Sequence, residues 1–281
     1  MTSKAFVAGH PVDHSRSPLI FRHWFERYSI DGDYQRADVP PEGLADFVAG
    51  LRAGAFVGGN VTVPHKQAVL GFCDAIDKAA AAIGAVNILA VEAGRINGSN
   101  SDWYGLLANF DDRAPGWDEK PGSAIVVGAG GAARGVVYGL ALRGFSPIRI
   151  LNRTAEKAAA LAKALAPGIG AELQGFALTD FTALAREAGL VVNTSTIGMH
   201  GSRFADLPLA SLPDTALVAD IVYTPLRTPL LAEADARGLR TIDGLGMLLH
   251  QAVPAFETWF GFRPEVTPEL RALVERDMGL T

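Results

Sequence analysis

The sequence is poor in the features that mark exported, membrane-bound or nucleic-acid-binding proteins. Its single cysteine, Cys73, cannot form an intrachain disulfide or a thiolate cluster by itself. No apolar run approaches the roughly 18 residues that cross a bilayer, and the apolar stretch in residues 1–9 is too short for a signal peptide. The formal net charge is −5, with no block of like charges, whereas nucleic-acid binders carry a basic patch. We therefore expect a cytoplasmic protein that binds neither nucleic acid nor membrane.

Metal-binding patterns are also scarce. His10 and His14 are four residues apart, but Pro11 lies between them and the segment has the composition of a loop. No further His or Cys nearby completes a ligand set. We expect no metal site.

What the chain does contain is enough apolar material for a folded core. Of its 281 residues, 49% are hydrophobic and 20% charged, which excludes disorder and suits one large domain or two. Apolar runs and helical patterns alternate from end to end, which predicts an α/β fold with largely parallel sheets. Ser17 and Pro18 have the pattern of an N-cap and first helical residue, and an Ala-rich helix is predicted over 78–83.

The second half has the pattern of a dinucleotide-binding unit. Strands are predicted at 124–127 and 148–151, each followed by a helix, at 132–142 and 155–165. Further strands at 190–193 and 217–221 extend this sheet. Composition shifts over 110–122, which marks an inter-domain connection there or in the helix just before it.

A glycine motif opens the first of these helices. Gly128, Gly130 and Ala133 have the spacing G-x-G-x-x-A directly after a predicted strand, where the backbone can approach a pyrophosphate at a helix N-terminus. The alternative is a glycine-rich turn that only packs the helix onto the sheet.

The end of the next strand favours NADP over NAD. NAD sites place an acidic residue here for the ribose hydroxyl, but this chain has Asn152, Arg153 and Thr154, with Lys157 one turn later. These groups can hold a 2′-phosphate. The alternative is that Arg153 is a solvated arginine and Thr154 only a helix cap.

Polar clusters in the first half suggest a substrate site. Ser15 and Ser17 suit a small carboxylate or polyol, although they also suit turn and cap positions. A lysine held beside an Asp can donate a proton to a developing alkoxide, and Lys66 and Asp102 are the candidates. A solvated helix lysine is the alternative for Lys66, and His65 suits a structural role.

The chain resembles the shikimate dehydrogenase family over essentially its full length. The matching motifs are GHPVDHSRSP at 9–18, GGNVTVPHK at 58–66, GAVN at 84–87, NSD at 100–102, VVGAGGAARG at 126–135, NRT at 152–154, NTSTIGM at 193–199, DIVYTPLRTPLL at 220–231 and DGLGMLLHQA at 243–252. The resemblance implies two α/β domains separated by a cleft: an N-terminal substrate domain with a mainly parallel sheet (1–103 plus 240–281) and a Rossmann-like NADP domain (104–239). It also implies the NADPH-dependent reversible reduction of 3-dehydroshikimate to shikimate in the aromatic amino-acid pathway.

The resemblance also implies a role for each matching residue. Lys66 would be the acid/base residue, and Asp102 would be its partner and a ligand of the substrate hydroxyls. Ser15, Ser17 and Tyr223 would hold the substrate carboxylate. The ring hydroxyls would be read by Asn60, Thr62, Asn87 and Gln251. The NADP site would comprise Gly128, Ala129, Gly130, Gly131, Ala132, Asn152, Arg153, Thr154, Ser195, Ile221, Gly244 and Met247, to which the residues themselves add Lys157.

Several positions depart from the family pattern, namely Phe21, Arg22, Ile88, Ser101 and Trp103. Trp103, where the family commonly has Gly, could narrow the pocket or simply pack in a helix core. These departures keep a quinate or aminoshikimate dehydrogenase open as alternatives, with a non-catalytic metabolite-binding paralogue a further one. The sequence also leaves a homodimer open.

Overall fold

The computed structural model describes residues 2–280 and divides the chain into two compact units. Unit 1 comprises the chain up to Ser101 and from Leu249 onward, and unit 2 comprises Asp102–Leu248. The strands are β1 (Ser3–Gly9), β2 (Gly32–Asp38), β3 (Gly58–Val61), β4 (Ala75–Ile76), β5 (Ile88–Glu92), β6 (Arg95–Ser99), β7 (Ser123–Val127), β8 (Ile148–Asn152), β9 (Leu173–Ala177), β10 (Ala188–Asn193), β11 (Ile197–His200), β12 (Leu217–Asp220) and β13 (Arg240–Ile242). The α-helices are α1 (Ser17–Tyr28), α2 (Leu44–Leu51), α3 (Lys78–Ile83), α4 (Asp102–Arg113), α5 (Gly131–Leu142), α6 (Ala155–Leu165), α7 (Phe181–Ala185), α8 (Pro229–Ala236), α9 (Leu245–Phe260) and α10 (Pro268–Asp277). None of the helices within residues 2–280 has both the length and the apolar character needed to cross a membrane.

Unit 1 contains a mixed six-stranded sheet in the order β2-β1-β3-β5-β6-β4. β1 pairs in parallel with β2 and β3, and β4 with β6, while β5 runs antiparallel to β3 and β6. An aromatic cluster joins α1 to α9, where Phe21, Trp24 and Phe25 contact Phe256. Burial of such large rings contributes about 1.5–3 kcal/mol each, so these contacts hold α1 firmly against α9.

Unit 2 contains a six-stranded sheet in which every pairing is parallel, in the order β13-β12-β10-β7-β8-β9. This is the doubly wound order of dinucleotide-binding folds, which reverses between β7 and β10. Ligands bind outside the carboxyl ends of the strands at such a reversal. The predicted α/β class is confirmed.

Most predicted elements occur, and two predicted helices, α3 and α6, have the observed bounds. Residues 56–57, which the sequence also suggested as a strand, lie just before β3 instead, and the strands β2, β4, β6, β9, β11 and β13 were not predicted. β2 does not show the alternation of apolar and polar residues that predicts a strand, because only Tyr34 is buried among its seven residues. Pro64, which the sequence also suggested as the first residue of a helix, lies in a turn instead.

The unit boundaries differ from the predicted ones. The first lies at Ser101/Asp102, at the start of α4, so the 110–122 segment is inside unit 2. The second lies within α9 rather than at 239/240. The reason is that β13 pairs with β12, and the Asn109 side chain donates to the Asp243 carbonyl at 2.8 Å, which keeps residues 240–248 in unit 2.

Candidate active site

The glycine turn of unit 2 follows β7 and leads into α5. Gly128 has φ +109°, and an added Cβ would lie 2.8 Å from Thr194 Oγ1, so only glycine fits there. At Gly130 and Gly131, no described heavy atom lies within 4 Å of an added Cβ. The backbone at the start of α5 therefore borders open space, and a pyrophosphate suits such a helix N-terminus.

A pocket of about 370 Å³ extends from this turn. It is lined by eight residues predicted for the NADP site: Gly128, Ala129, Gly130, Asn152, Arg153, Thr154, Lys157 and Ser195. Sequence reasoning missed Leu178, Thr194, Thr196, Ile197 and Phe204. The NTSTIGM motif contained a signal for three of these, whereas Leu178 and Phe204 come from segments with no motif. Gly131 and Ala132 continue the same turn into α5.

The basic end of this pocket suits a phosphate. Arg153, Thr154 and Lys157 are exposed and line it, and none of the described residues that line it is acidic. Thr154 occupies the N-cap position of α6, but its side chain makes no capping hydrogen bond to a described residue. Its hydroxyl is therefore not used as a helix cap. This counts against the alternative that Thr154 only caps α6.

Three other predicted cofactor residues lie outside that pocket lining. Ile221 donates its N–H to the Asn193 carbonyl at 3.0 Å. An added Cβ at Gly244 would lie 2.3 Å from the Ile221 carbonyl oxygen, so these two backbones pack closely. Met247 is 8% exposed and belongs to the apolar core of unit 2.

A buried carboxyl, Asp220, organises the loops after β10 and β12. It accepts hydrogen bonds from Asn193 Nδ2 at 2.9 Å, the Val222 N–H at 2.9 Å and Thr228 Oγ1 at 2.7 Å. Asn193 Oδ1 in turn accepts from the Ser195 hydroxyl at 2.7 Å. Burial raises the pKa of Asp220 to about 6, and the three hydrogen bonds oppose this rise. Asp220 thereby fixes Ser195 and the segment that carries Tyr223.

The start of α1 differs from its prediction. Ser17 is the first residue of the helix rather than its N-cap, a position held by Arg16 without a side-chain cap. The Ser17 hydroxyl instead hydrogen-bonds the phenol of Tyr34 on β2. Two hydrogen bonds from Arg36, of 2.6 Å and 3.2 Å, hold the carbonyl of half-buried Ser15.

Four predicted substrate residues belong to one buried network in unit 1. Tyr34 donates to Asn60 Oδ1 at 2.6 Å, and Asn60 Nδ2 donates to the Asn87 carbonyl at 3.0 Å. The Asn87 side chain contacts Gln251 Oε1 at 3.5 Å and accepts from the Ser101 N–H at 2.8 Å. Ser17, Asn60, Asn87 and Gln251 are thus brought together by Tyr34 and Ser101, which sequence reasoning did not assign to the site.

The β3 end carries the remaining predicted groups of unit 1. The Thr62 N–H bonds the Ala8 carbonyl at 2.8 Å, and the Lys66 carbonyl accepts from the Val86 N–H at 2.8 Å. Lys66 itself is half-buried. His65 is 1% exposed and its Nε2 lies 2.6 Å from the Val39 carbonyl, which supports the structural role predicted for it.

Asp102 opens α4 in unit 2 and is 5% exposed. An added Cβ at Gly135 on α5 would lie 2.8 Å from Asp102 Cβ, so the two helices meet almost backbone to backbone. Trp103 packs on the core of unit 2, with its ring 5.8 Å from that of Tyr138. This supports the packing interpretation of Trp103.

The structure therefore divides the predicted residues between the units. Lys66 and most substrate residues belong to unit 1, whereas Asp102, Tyr223 and the cofactor residues belong to unit 2. Within residues 2–280, no three His, Cys, Asp or Glu side chains gather in a way that could hold a metal ion.

Comparison with known proteins adds a family assignment. Three family models match: the shikimate dehydrogenase substrate binding domain over residues 7–89, the shikimate/quinate 5-dehydrogenase over 116–224, and the shikimate 5'-dehydrogenase C-terminal domain over 244–273. A curated relative from Mesorhizobium japonicum, named shikimate dehydrogenase (NADP(+)), is 53% identical over 99% of this chain and 97% of its own.

Solved structures agree. The shikimate 5-dehydrogenase of Thermus thermophilus, in complex with NADP(H) and shikimate, has a TM-score of 0.86 at 35% identity, covering 98% of this chain and 99% of its own. The quinate dehydrogenase of Corynebacterium glutamicum, in complex with NAD, has a TM-score of 0.90 at 29% identity with the same coverage. The predicted family is confirmed: this chain belongs to the shikimate dehydrogenase family.

Proposed function

We propose that the protein is an NADP-dependent oxidoreductase that interconverts shikimate and 3-dehydroshikimate. The observation that carries this proposal is the buried network of unit 1, where amide and hydroxyl groups from α1, β3, the start of β5 and α9 converge. Such a set suits a small ring with several hydroxyls. Relatives named shikimate dehydrogenase (NADP(+)) support the substrate and the cofactor.

Unit 1 would bind the substrate. Ser15 and Ser17, with Tyr223 of unit 2, would donate to its carboxylate, while Asn60, Thr62, Asn87 and Gln251 would hold its ring hydroxyls. These roles follow from the family resemblance, and the burial of Ser17, Asn60 and Asn87 supports them. Buried polar groups of this kind discriminate strongly, because a ligand that lacks a matching group leaves them unpaired.

Lys66 would move the proton. In the reducing direction it donates to the carbonyl oxygen that becomes a hydroxyl, and in the reverse direction it takes that proton back. Asp102 would orient the ammonium group of Lys66 and compensate its positive charge. A bound nicotinamide supplies or accepts the hydride, so this chain needs to provide only proton transfer and positioning.

Unit 2 would hold the cofactor. The N–H groups at the start of α5 suit the pyrophosphate, and Arg153, Thr154 and Lys157 suit a 2′-phosphate. Ser195, Ile221, Gly244 and Met247 would complete the site. The fit of the glycine cradle and the basic pocket end supports NADP rather than NAD.

A quinate dehydrogenase is the second candidate, favoured by the TM-score of 0.90 to such an enzyme. Purified protein incubated with each pairing of shikimate or quinate with NADP or NAD, followed by the absorbance of reduced nicotinamide, separates the two. We expect fast turnover only with shikimate and NADP. Preference for quinate would support the second candidate, and absence of turnover despite NADP binding would indicate a non-catalytic paralogue.

We also propose a cytoplasmic location. Cys73 is the one cysteine of the sequence and is a free thiol, and a chain that cannot form an intrachain disulfide suits a reducing compartment. Cell fractionation tests the location, and light scattering of the purified protein distinguishes a monomer from a homodimer.

A further inference from the structure

The amide of Asn60 has only one chemically consistent orientation. Its Nδ2 lies 3.0 Å from the carbonyl oxygen of Asn87, and a carbonyl can only accept. The amide nitrogen must therefore face Asn87, and the amide oxygen must face the other way, towards the phenol of Tyr34 at 2.6 Å. Reversing the amide would place two acceptors against each other.

This orientation fixes the role of Tyr34. A phenol has one proton, and at 2.6 Å from an amide oxygen that proton must lie between the two atoms. The hydrogen bond between Tyr34 and Ser17 therefore has the serine hydroxyl as donor. If Ser17 turns its proton to a bound carboxylate, the bond from Tyr34 to Asn60 is unaffected.

The Tyr34 ring is held rigidly. It is 7% exposed and stacks on Phe21 with centroids 3.9 Å apart and an interplanar angle of 17°. Trp259 packs nearby, with its centroid 6.1 Å away. Burial raises the pKa of Tyr34 well above its usual range, so the phenol remains a donor.

We propose that Tyr34 is a positioning residue for substrate binding, which holds Asn60 so that its second amide hydrogen is presented as a donor to a ring hydroxyl oxygen. The inference rests on the proposed function, because it takes Asn60 to be a hydroxyl-reading residue. Phe21 supports it from behind, where the family often has His. Neither the family resemblance nor the comparisons assign Tyr34 a role.

Steady-state kinetics of Tyr34→Phe test this inference, since the substitution removes only the hydroxyl. We expect the KM for shikimate to rise about tenfold, as for the loss of one buried hydrogen bond, with kcat and the KM for NADP changed less than about twofold. Tyr28→Phe is the matched control, because its hydroxyl accepts a hydrogen bond from the Glu265 N–H at the surface. A wild-type KM for Tyr34→Phe would overturn the inference.

Double variants separate positioning from general damage. In an Asn60→Ala background, Tyr34→Phe should add less than about twofold to the KM, because the residue through which it acts is gone. In a Ser17→Ala background its about tenfold effect should persist. An undiminished effect in the Asn60→Ala background would contradict the mechanism.

A spectroscopic test does not depend on activity. The Tyr34 hydroxyl proton should give a slowly exchanging downfield NMR resonance that disappears in Tyr34→Phe and shifts in Asn60→Ala. If this resonance is missing, the inference fails even in an active enzyme. If the resonance is present but the wild type neither binds nor oxidises shikimate, the proposed function fails instead.

Discussion

The two units build their sites from different materials. Unit 2 uses backbone: Gly128 holds φ +109°, and the backbone of Gly130 and Gly131 borders open space. Unit 1 uses side chains that are distant in sequence, such as Tyr34 with Asn60 and Asn87 with Gln251. At Gly128 this backbone site admits no other residue, whereas a side-chain network depends on partners that can each be removed separately.

The largest expected effect is in the chemistry attributed to unit 1. Lys66→Ala should lower kcat by about 10² to 10⁴, the usual contribution of positioned proton transfer, and should leave the KM values for substrate and NADP nearly unchanged. Lys78→Ala, an exposed lysine on α3 of the same unit, is the control. Turnover of Lys66→Ala near that of the control would show that the role given to Lys66 is wrong.

A charge reversal in unit 2 should act on the cofactor alone. Arg153→Asp removes the proposed phosphate partner and adds repulsion, so the preference for NADP over NAD should fall by about two orders of magnitude. The same reversal at exposed Arg186 controls for net charge. The measurement is kcat/KM for both nicotinamides, and an unchanged KM for NADP would remove the argument for 2′-phosphate recognition.

Asp220 predicts a pH dependence of stability that belongs to unit 2. Its pKa is raised from 3.8 to about 6, so between about pH 4 and 6 the folded protein retains a proton that the unfolded chain has lost. The Asp220 contribution to the free energy of unfolding should therefore fall as pH rises, by up to about 3 kcal/mol. Asp220→Asn keeps the hydrogen-bonding shape, and its denaturation curves should lack this part of the slope. Parallel pH profiles for both proteins would contradict the raised pKa.

The smallest effect concerns the contact between α4 and α5. Gly135→Ala should destabilise the protein by about 1–3 kcal/mol, because its Cβ would meet Asp102 Cβ at 2.8 Å. Gly139→Ala on the same helix meets only ordinary contacts at 3.5 Å and should be neutral or stabilising by up to about 1 kcal/mol. Chemical denaturation measures both, and equal effects would show that the close approach at Asp102 is unimportant.

The sequence predicted the backbone site better than the side-chain network. Gly128 was recognisable because its positive φ and the close approach of Thr194 leave no other choice of residue. Phe204 and Leu178 reach the same pocket from segments without a pattern, so no local signal could indicate them.

The unit 1 network was only partly predictable. Family motifs indicated Ser17, Asn60 and Asn87, but Tyr34 lies on a polar edge strand whose only buried residue is that tyrosine. Its contact with Asn60 arises from the register of β2, β1 and β3, which no local pattern specifies. The boundary between the units within α9 was not predicted for a similar reason. β13 is a three-residue edge strand that can be recognised only by its pairing with β12.

We expect unit 1 to bind the substrate and unit 2 to bind the cofactor, each largely with its own residues. Calorimetric titration of Asn60→Ala and Arg153→Asp with shikimate and with NADP separately tests it most directly. We predict that Asn60→Ala raises the Kd for shikimate about tenfold or more and leaves that for NADP unchanged, and that Arg153→Asp does the reverse. Equal weakening of both ligands by either variant, at unchanged stability, would contradict this division.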